Sequence, residues 1–172
     1  MIVLVLGGAR SGKSAIAERL AAALPPPVTY VATLAVADDP DLAARVARHR
    51  DRRPAGWETV EAGADLPTVL QVTTGTVLVD SLGAWVADYP GMAADTGELA
   101  GVLRGRDGDS VVVSDEVGLA VHPTTAVGRL FRDALGEANQ AVAAIADEVL
   151  FVVAGQVLRP SRVDGVIGSW GG

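Results

Sequence analysis

The first twenty-four residues spell a strand, a glycine-rich turn and a helix, and that order fixes the class of fold. Ile2-Val3-Leu4-Val5-Leu6 is an unbroken apolar run, as expected of a strand buried on both faces. Gly7-Gly8-Ala9-Arg10-Ser11-Gly12-Lys13-Ser14 follows and matches G-x-x-x-x-G-K-[ST] at every fixed position. Ala15 to Leu24 is rich in strong helix formers and runs into three prolines, which predicts a helix ending there. In this order the loop N–H groups and the helix N-terminus can cradle phosphate, while the Ser14 hydroxyl reaches Mg²⁺. Lys13 is the single lysine of the chain, and all other basic residues are arginine. A compact ammonium suits the β/γ-phosphates better than a planar fork. The chain is expected to bind a nucleoside triphosphate.

Composition narrows the rest. With 172 residues and 49% hydrophobic side chains, one α/β domain with a substantial core is expected. Residues 1–158 read as a single nucleotide-binding catalytic domain. Residues 159–172 read as a loose C-terminal tail, or one docked through Trp170. A net charge of −7 argues against broad binding to nucleic acid or anionic membranes. The absence of cysteine excludes disulfide and thiol chemistry. The chain begins directly with a strand, without a basic n-region, and contains no apolar run of membrane-spanning length. A soluble cytoplasmic enzyme is therefore expected.

Further β-branched runs predict strands at Val28–Ala32, Thr76–Asp80, Ser110–Ser114 and Val149–Val153. They are continuous, not alternating, which favours a mainly parallel sheet covered on both faces. Asp41 to Arg53 reads as a helix with Leu42, Val46 and His49 on one stripe. Thr125 to Ala146 reads as a long helix whose apolar face is Val127, Leu130, Phe131, Leu135, Ala138, Val142 and Ile145. Residues 87–109 read as a loop-and-short-helix connection.

Two constellations carry chemistry. Asp80 ends an apolar strand, where an aspartate can meet the magnesium shell. Asp115 and Glu116 follow another strand in the same way. Of the three, Asp80 is the strongest candidate and Asp115 the weakest, since acids after strands often cap helices or face solvent. Arg45, Arg48, Arg50, Arg52 and Arg53 surround His49, a basic cluster in an acidic chain that suits a triphosphate. Positive neighbours favour the neutral imidazole, a competent nucleophile or base beside phosphate. A solvated basic face with a packing histidine is the alternative reading. His122, beside Pro123, reads as a turn residue.

From Gly7 to about Gly155 the chain resembles the bifunctional adenosylcobinamide kinase/adenosylcobinamide-phosphate guanylyltransferases of cobalamin biosynthesis. The resemblance rests on Gly-Gly-Ala-Arg-Ser-Gly-Lys-Ser and Tyr30-Val31-Ala32-Thr33. It continues through Ala44-Arg45, His49, Arg53-Pro54, Trp57, Thr59 and Glu61, then Val79-Asp80-Ser81-Leu82 with Trp85. Val113 to Gly118, Phe131-Arg132-Asp133, Gly136, Asn139-Gln140 and Ala146 to Val149 complete it. It implies a P-loop NTPase-type three-layer sandwich with a mainly parallel sheet, assembled as a homotrimer. It implies phosphorylation of the aminopropanol hydroxyl of adenosylcobinamide, followed by GMP transfer from GTP through a histidine–GMP intermediate. His49 matches the guanylylated histidine. Thr33, Leu34, Ala35, Arg50, Asp51, Arg52, Arg53, Glu61 and Asp80 match positions around the nucleotide, with Mg²⁺ expected at Ser14 and Asp80. The chain departs from the family pattern at Asp115, where asparagine is common, at residues 118–123, in a short connection after Trp85, and after Gly155. A monofunctional P-loop small-molecule kinase and a non-catalytic GTP-binding regulator are the competing readings.

Overall fold

The apolar runs form the interior of one sheet. The structure, a computed structural model, describes residues 1–34, 54–119 and 121–168. In chain order the described elements begin with β1 (Ile2–Gly7), α1 (Lys13–Ala22), β2 (Val28–Ala32) and β3 (Glu58–Glu61). Next come α2 (Leu66–Val72), β4 (Thr76–Asp80), α3 (Leu82–Asp88), α4 (Thr96–Gly105) and β5 (Ser110–Asp115). The chain continues with α5 (Ala126–Ile145), β6 (Glu148–Val153), β7 (Gln156–Leu158) and α6 (Val163–Gly168). The sheet order is β3-β2-β4-β5-β1-β6-β7, parallel throughout except that β7 returns antiparallel to β6.

Strand residues alternate between two cores, which is why the runs are apolar without interruption. On one face Val3, Val5, Leu78, Val111 and Val113 pack with Ala17 and Ala21 of α1. On the other Leu4, Val31, Val77, Val79 and Val112 pack with Leu66, Leu70, Trp85, Leu99, Leu103, Leu135, Ala138 and Val142, from α2 to α5. This is the expected three-layer α/β sandwich with a mostly parallel sheet.

The differences from expectation have physical causes. The helix after the loop starts earlier, at Lys13, and ends at Ala22. The 87–109 connection contains the ten-residue α4, capped by the Asp95 carboxylate, which accepts from the Glu98 N–H at 2.8 Å. Its composition hides a single i, i+4 pair, Leu99 and Leu103, and both are buried. In α5 the predicted stripe splits: Leu135, Ala138 and Val142 are buried, whereas Val127 and Leu130 are exposed. Twenty helical residues span about 30 Å and six strand residues about 20 Å, so a helix of this length outruns its strands. Within residues 159–168, residues 163–168 form α6, and the Arg162 guanidinium donates to the Ala146 carbonyl at 2.8 Å. Trp170 and the predicted helix at 41–53 lie outside the described residues. None of the described helices is long and apolar enough to cross a membrane.

Candidate nucleotide site

The glycine loop is held by its own backbone. Gly7 closes β1, and a Cβ there would come within 2.5 Å of Ser11 Oγ and 2.7 Å of the Val152 carbonyl oxygen, so no side chain fits. Arg10 and Gly12 adopt positive φ of 58° and 97°, which turns the chain back into α1. The Ser11 N–H donates to the Gly8 carbonyl at 3.2 Å, and the Ser11 carbonyl accepts from the Gly155 N–H at 2.8 Å. The β6–β7 turn thus braces the loop from outside. No side chain caps the N-terminus of α1 and its first turn holds no acidic residue, leaving the helix end open to an anion. The Ser11 hydroxyl is buried without a partner among the described residues.

Lys13 is buried and folds back over the loop. Its Nζ donates to the Gly8 carbonyl at 3.3 Å and pairs with Asp115 Oδ1 at 2.7 Å. The pairing follows from register, because β5 lies against β1 with Asp115 beside Gly7. Asn139, buried on α5, holds the strand end by donating to the Asp115 carbonyl at 3.1 Å. Asp115, the weakest of the three carboxylates on sequence grounds, is the one that meets the lysine.

Asp80 ends β4, two strands from β1 and therefore about 10 Å from it across the sheet. Its Oδ2 accepts from the Tyr30 hydroxyl at 3.0 Å. Thr33 is buried beside it, and its Oγ1 donates to the Ser81 carbonyl at 2.7 Å and accepts from the Ser81 N–H at 2.8 Å. Glu61 ends β3 in register with Ala32 and is exposed, as is Leu34. From β1 to β3 is four strand spacings, about 19 Å. Gly7 to Ser14, Asp80, Thr33, Leu34 and Glu61 thus share the carboxyl edge of one sheet. Ala35, His49, Arg50, Asp51, Arg52 and Arg53 lie outside the described residues.

The edge offers hard oxygen donors. No group of three or more acidic, histidine or cysteine residues forms a metal cage among the described residues. Mg²⁺ does not require one: it typically takes one or two protein oxygens and completes its shell with phosphate and water. The Ser14 hydroxyl and Asp80 carboxylate fit that demand in kind. His122, between the end of β5 and the start of α5, is exposed, with its Nδ1 2.8 Å from an Arg132 guanidinium nitrogen.

A buried lysine on a glycine loop, an uncapped helix and acids on the neighbouring strand ends together define a P-loop nucleotide-binding α/β protein. The chain belongs to the cobinamide kinase/cobinamide phosphate guanyltransferase family, whose model matches residues 3–159. It is 39% identical to the bifunctional adenosylcobalamin biosynthesis protein CobP of Pseudomonas aeruginosa, over 88% of this chain and 92% of that one. It is 37% identical to the bifunctional adenosylcobalamin biosynthesis protein CobU of Salmonella typhimurium, over 90% of this chain and 97% of that one. Among solved structures, an ATPase of a bacterial type III secretion system superposes with a TM-score of 0.54 at 12% identity. That match covers 95% of this chain and 57% of the ATPase, and it speaks to the fold alone.

Proposed function

We propose that this protein phosphorylates adenosylcobinamide and then transfers GMP from GTP to the resulting phosphate, giving adenosylcobinamide-GDP in cobalamin biosynthesis. The observation that carries the reading is Lys13, buried in a braced phosphate loop within a chain 37–39% identical to bifunctional relatives over most of its length. Lys13 stabilises charge on the β/γ-phosphates in both reactions, and the open end of α1 binds the same anion. Mg²⁺, held by Ser14 and Asp80 with phosphate and water oxygens, neutralises phosphate charge when bound.

In guanylyl transfer the neutral imidazole of His49 attacks the α-phosphorus of GTP. An N–P bond forms as the Pα–O bond to pyrophosphate breaks. An oxygen of the acceptor phosphate then attacks the same phosphorus and releases His49. The arginines from 45 to 53 compensate the charge on the equatorial oxygens. The resemblance of the His49 block and the nucleophilicity of imidazole support this route. Thr33, Leu34, Ala35, Arg50, Asp51, Arg52, Arg53, Glu61 and Asp80 form the nucleotide's surroundings in this reading. The enzyme is a cytoplasmic homotrimer, a reading supported by the resemblance and by the exposed apolar side chains of α5.

The test is incubation with α-labelled GTP, then mapping of an acid-labile adduct. Label on His49 is the expected result, and His49→Ala should abolish guanylyl transfer while leaving phosphorylation of the alcohol largely intact. Phosphorylation without any adduct would instead mark a monofunctional kinase.

A further inference from the structure

A cavity opens beside the phosphate loop, at the ends of β5 and β6. Its volume is about 330 Å³, and Arg10, Ser11, Glu116, Leu119, Phe151 and Val153 contribute to its walls. In sheet order Asp80, Thr33 and Glu61 all lie on the β5 side of β1, and this cleft spans β1, from Glu116 and Leu119 after β5 to Phe151 and Val153 of β6. Gly8, Ala9, Arg10 and Ser11 of the phosphate loop also line it, so a group in the cleft lies against the loop that holds phosphate. A kinase needs its acceptor there, because nucleotide and acceptor must meet at one phosphorus.

We propose that this cleft receives the hydroxyl-bearing arm of the cobinamide acceptor, and that Glu116 takes the hydroxyl proton in the kinase step. The inference rests on the function proposed above. The cleft is at the lower end of the size range of small-molecule pockets, so it suits an arm while a macrocycle stays outside. Leu119 and Val153 are exposed at its wall, apolar surface that an alkyl arm would cover.

Glu116 is singled out among three strand-end carboxylates. Asp115 is paired with Lys13, and Asp80, at the end of β4, accepts from Tyr30. Glu116 alone lines the cleft. Its N–H donates to the Gly7 carbonyl at 3.2 Å, which ties it to the start of the phosphate loop. Its Oε1 accepts from the Gly118 N–H at 2.6 Å, while Oε2 has no partner among the described residues. One oxygen orients the carboxylate and the other remains to accept a proton.

The step balances without another reagent. The acceptor oxygen attacks the γ-phosphorus, the new O–P bond forms, and the bridging P–O bond breaks. The nucleoside diphosphate leaves with the electron pair, and the hydroxyl proton passes to Glu116 and on to water. Guanylyl transfer differs at this point, because its acceptor is a phosphate monoester with no hydroxyl proton to lose. A base at Glu116 therefore serves one half of the enzyme far more than the other.

Glu116→Gln tests this, since the amide oxygen still accepts from Gly118 and the loop is preserved. Phosphorylation of adenosylcobinamide is measured beside guanylyl transfer to preformed adenosylcobinamide phosphate. The expected result is a kinase kcat lower by about 100-fold with a much smaller change in guanylyl transfer. An unchanged ratio of the two rates would overturn the base assignment. Phe151→Ala and Leu119→Ser should raise the KM for the acceptor more than the KM for the nucleotide, and equal effects would overturn the cleft assignment. A wild-type protein lacking both activities would defeat the functional reading and this inference together. A wild-type protein with both, and a variant with its kinase intact, would defeat this inference alone.

Discussion

The two ends of the sheet are built on opposite principles. At the amino end, backbone groups are tied down by charged side chains. The Met1 ammonium pairs with Asp109 at 2.7 Å, and the Ile2 N–H donates to Asp147 at 2.7 Å. The Arg106 guanidinium donates to the carbonyls of Thr73, Gly75 and Asp109 and to the Ser110 hydroxyl. Burial pulls its pKa below the ordinary value, and Asp109 and Asp107 pull it back. At the carboxyl end the helix is uncapped, the Ser11 hydroxyl is buried without a described partner, and the lysine shares its site with one carboxylate. At one edge charged side chains meet backbone groups internally, with only Arg106 Nε buried without a partner among the described residues. The other edge holds polar groups ready for a ligand. Stability and function are thereby assigned to different ends of the same strands.

The contrast can be broken by experiment. Lys13→Ala should lower kinase turnover by about 10²–10³-fold, with little change in melting temperature, as steady-state rates and calorimetry would reveal. A large loss of stability would mean that the carboxyl edge is structural too. Arg106→Ala should do the reverse. Three carbonyls lose a charged donor, so unfolding free energy should fall by about 3 kcal/mol and the melting temperature by about 6–12 °C. Turnover of the folded fraction should stay within about twofold, the spread expected of a substitution remote from the chemistry.

Asp115→Asn probes the borrowed lysine. The carboxylate side chain is 36% exposed, so the pair is worth about 1 kcal/mol or less. Nucleotide affinity should rise by about two- to fivefold when Lys13 no longer leaves a carboxylate to meet phosphate, as read by titration calorimetry. Weaker binding would show that Asp115 helps to hold the nucleotide complex. The smallest effect belongs to Asp147→Ala at the amino edge. It should cost about 1 kcal/mol in denaturant unfolding and leave both transfer rates unchanged.

How much of this was legible in the sequence depended on range. The phosphate loop could be read because its chemistry is local: Gly7 must lack a side chain, Gly12 must adopt positive φ, and Lys13 must follow. The central strands could be read because burial on both faces leaves no polar gaps. β3 was missed, since Glu58-Thr59-Val60-Glu61 is a mostly exposed edge with one half-buried apolar residue. β7 was missed for the same reason, being exposed along its length. The Lys13–Asp115 pair was illegible because strand neighbours are set by the whole fold. Nothing near Asp115 states that β5 will lie against β1. Tyr30 on Asp80 and Asn139 on the Asp115 carbonyl belong to the same kind of long-range contact. His49 and its arginines were singled out from local charge, and that reading stands as a proposal.

The Gly155 N–H that braces the loop at Ser11 has a consequence for synthesis. β1 is made well before its sheet neighbours β5 and β6, with Ile2 beside Ser110 and Val3 beside Glu148. The phosphate-binding signature at residues 7–14 is made long before residue 155, but the cradle cannot be completed until that residue has emerged. Until residue 115 has emerged the apolar β1 waits without either neighbour, and contacts so distant in sequence make for slow folding. Nucleotide capture by ribosome-bound chains of increasing length should therefore switch on late and abruptly.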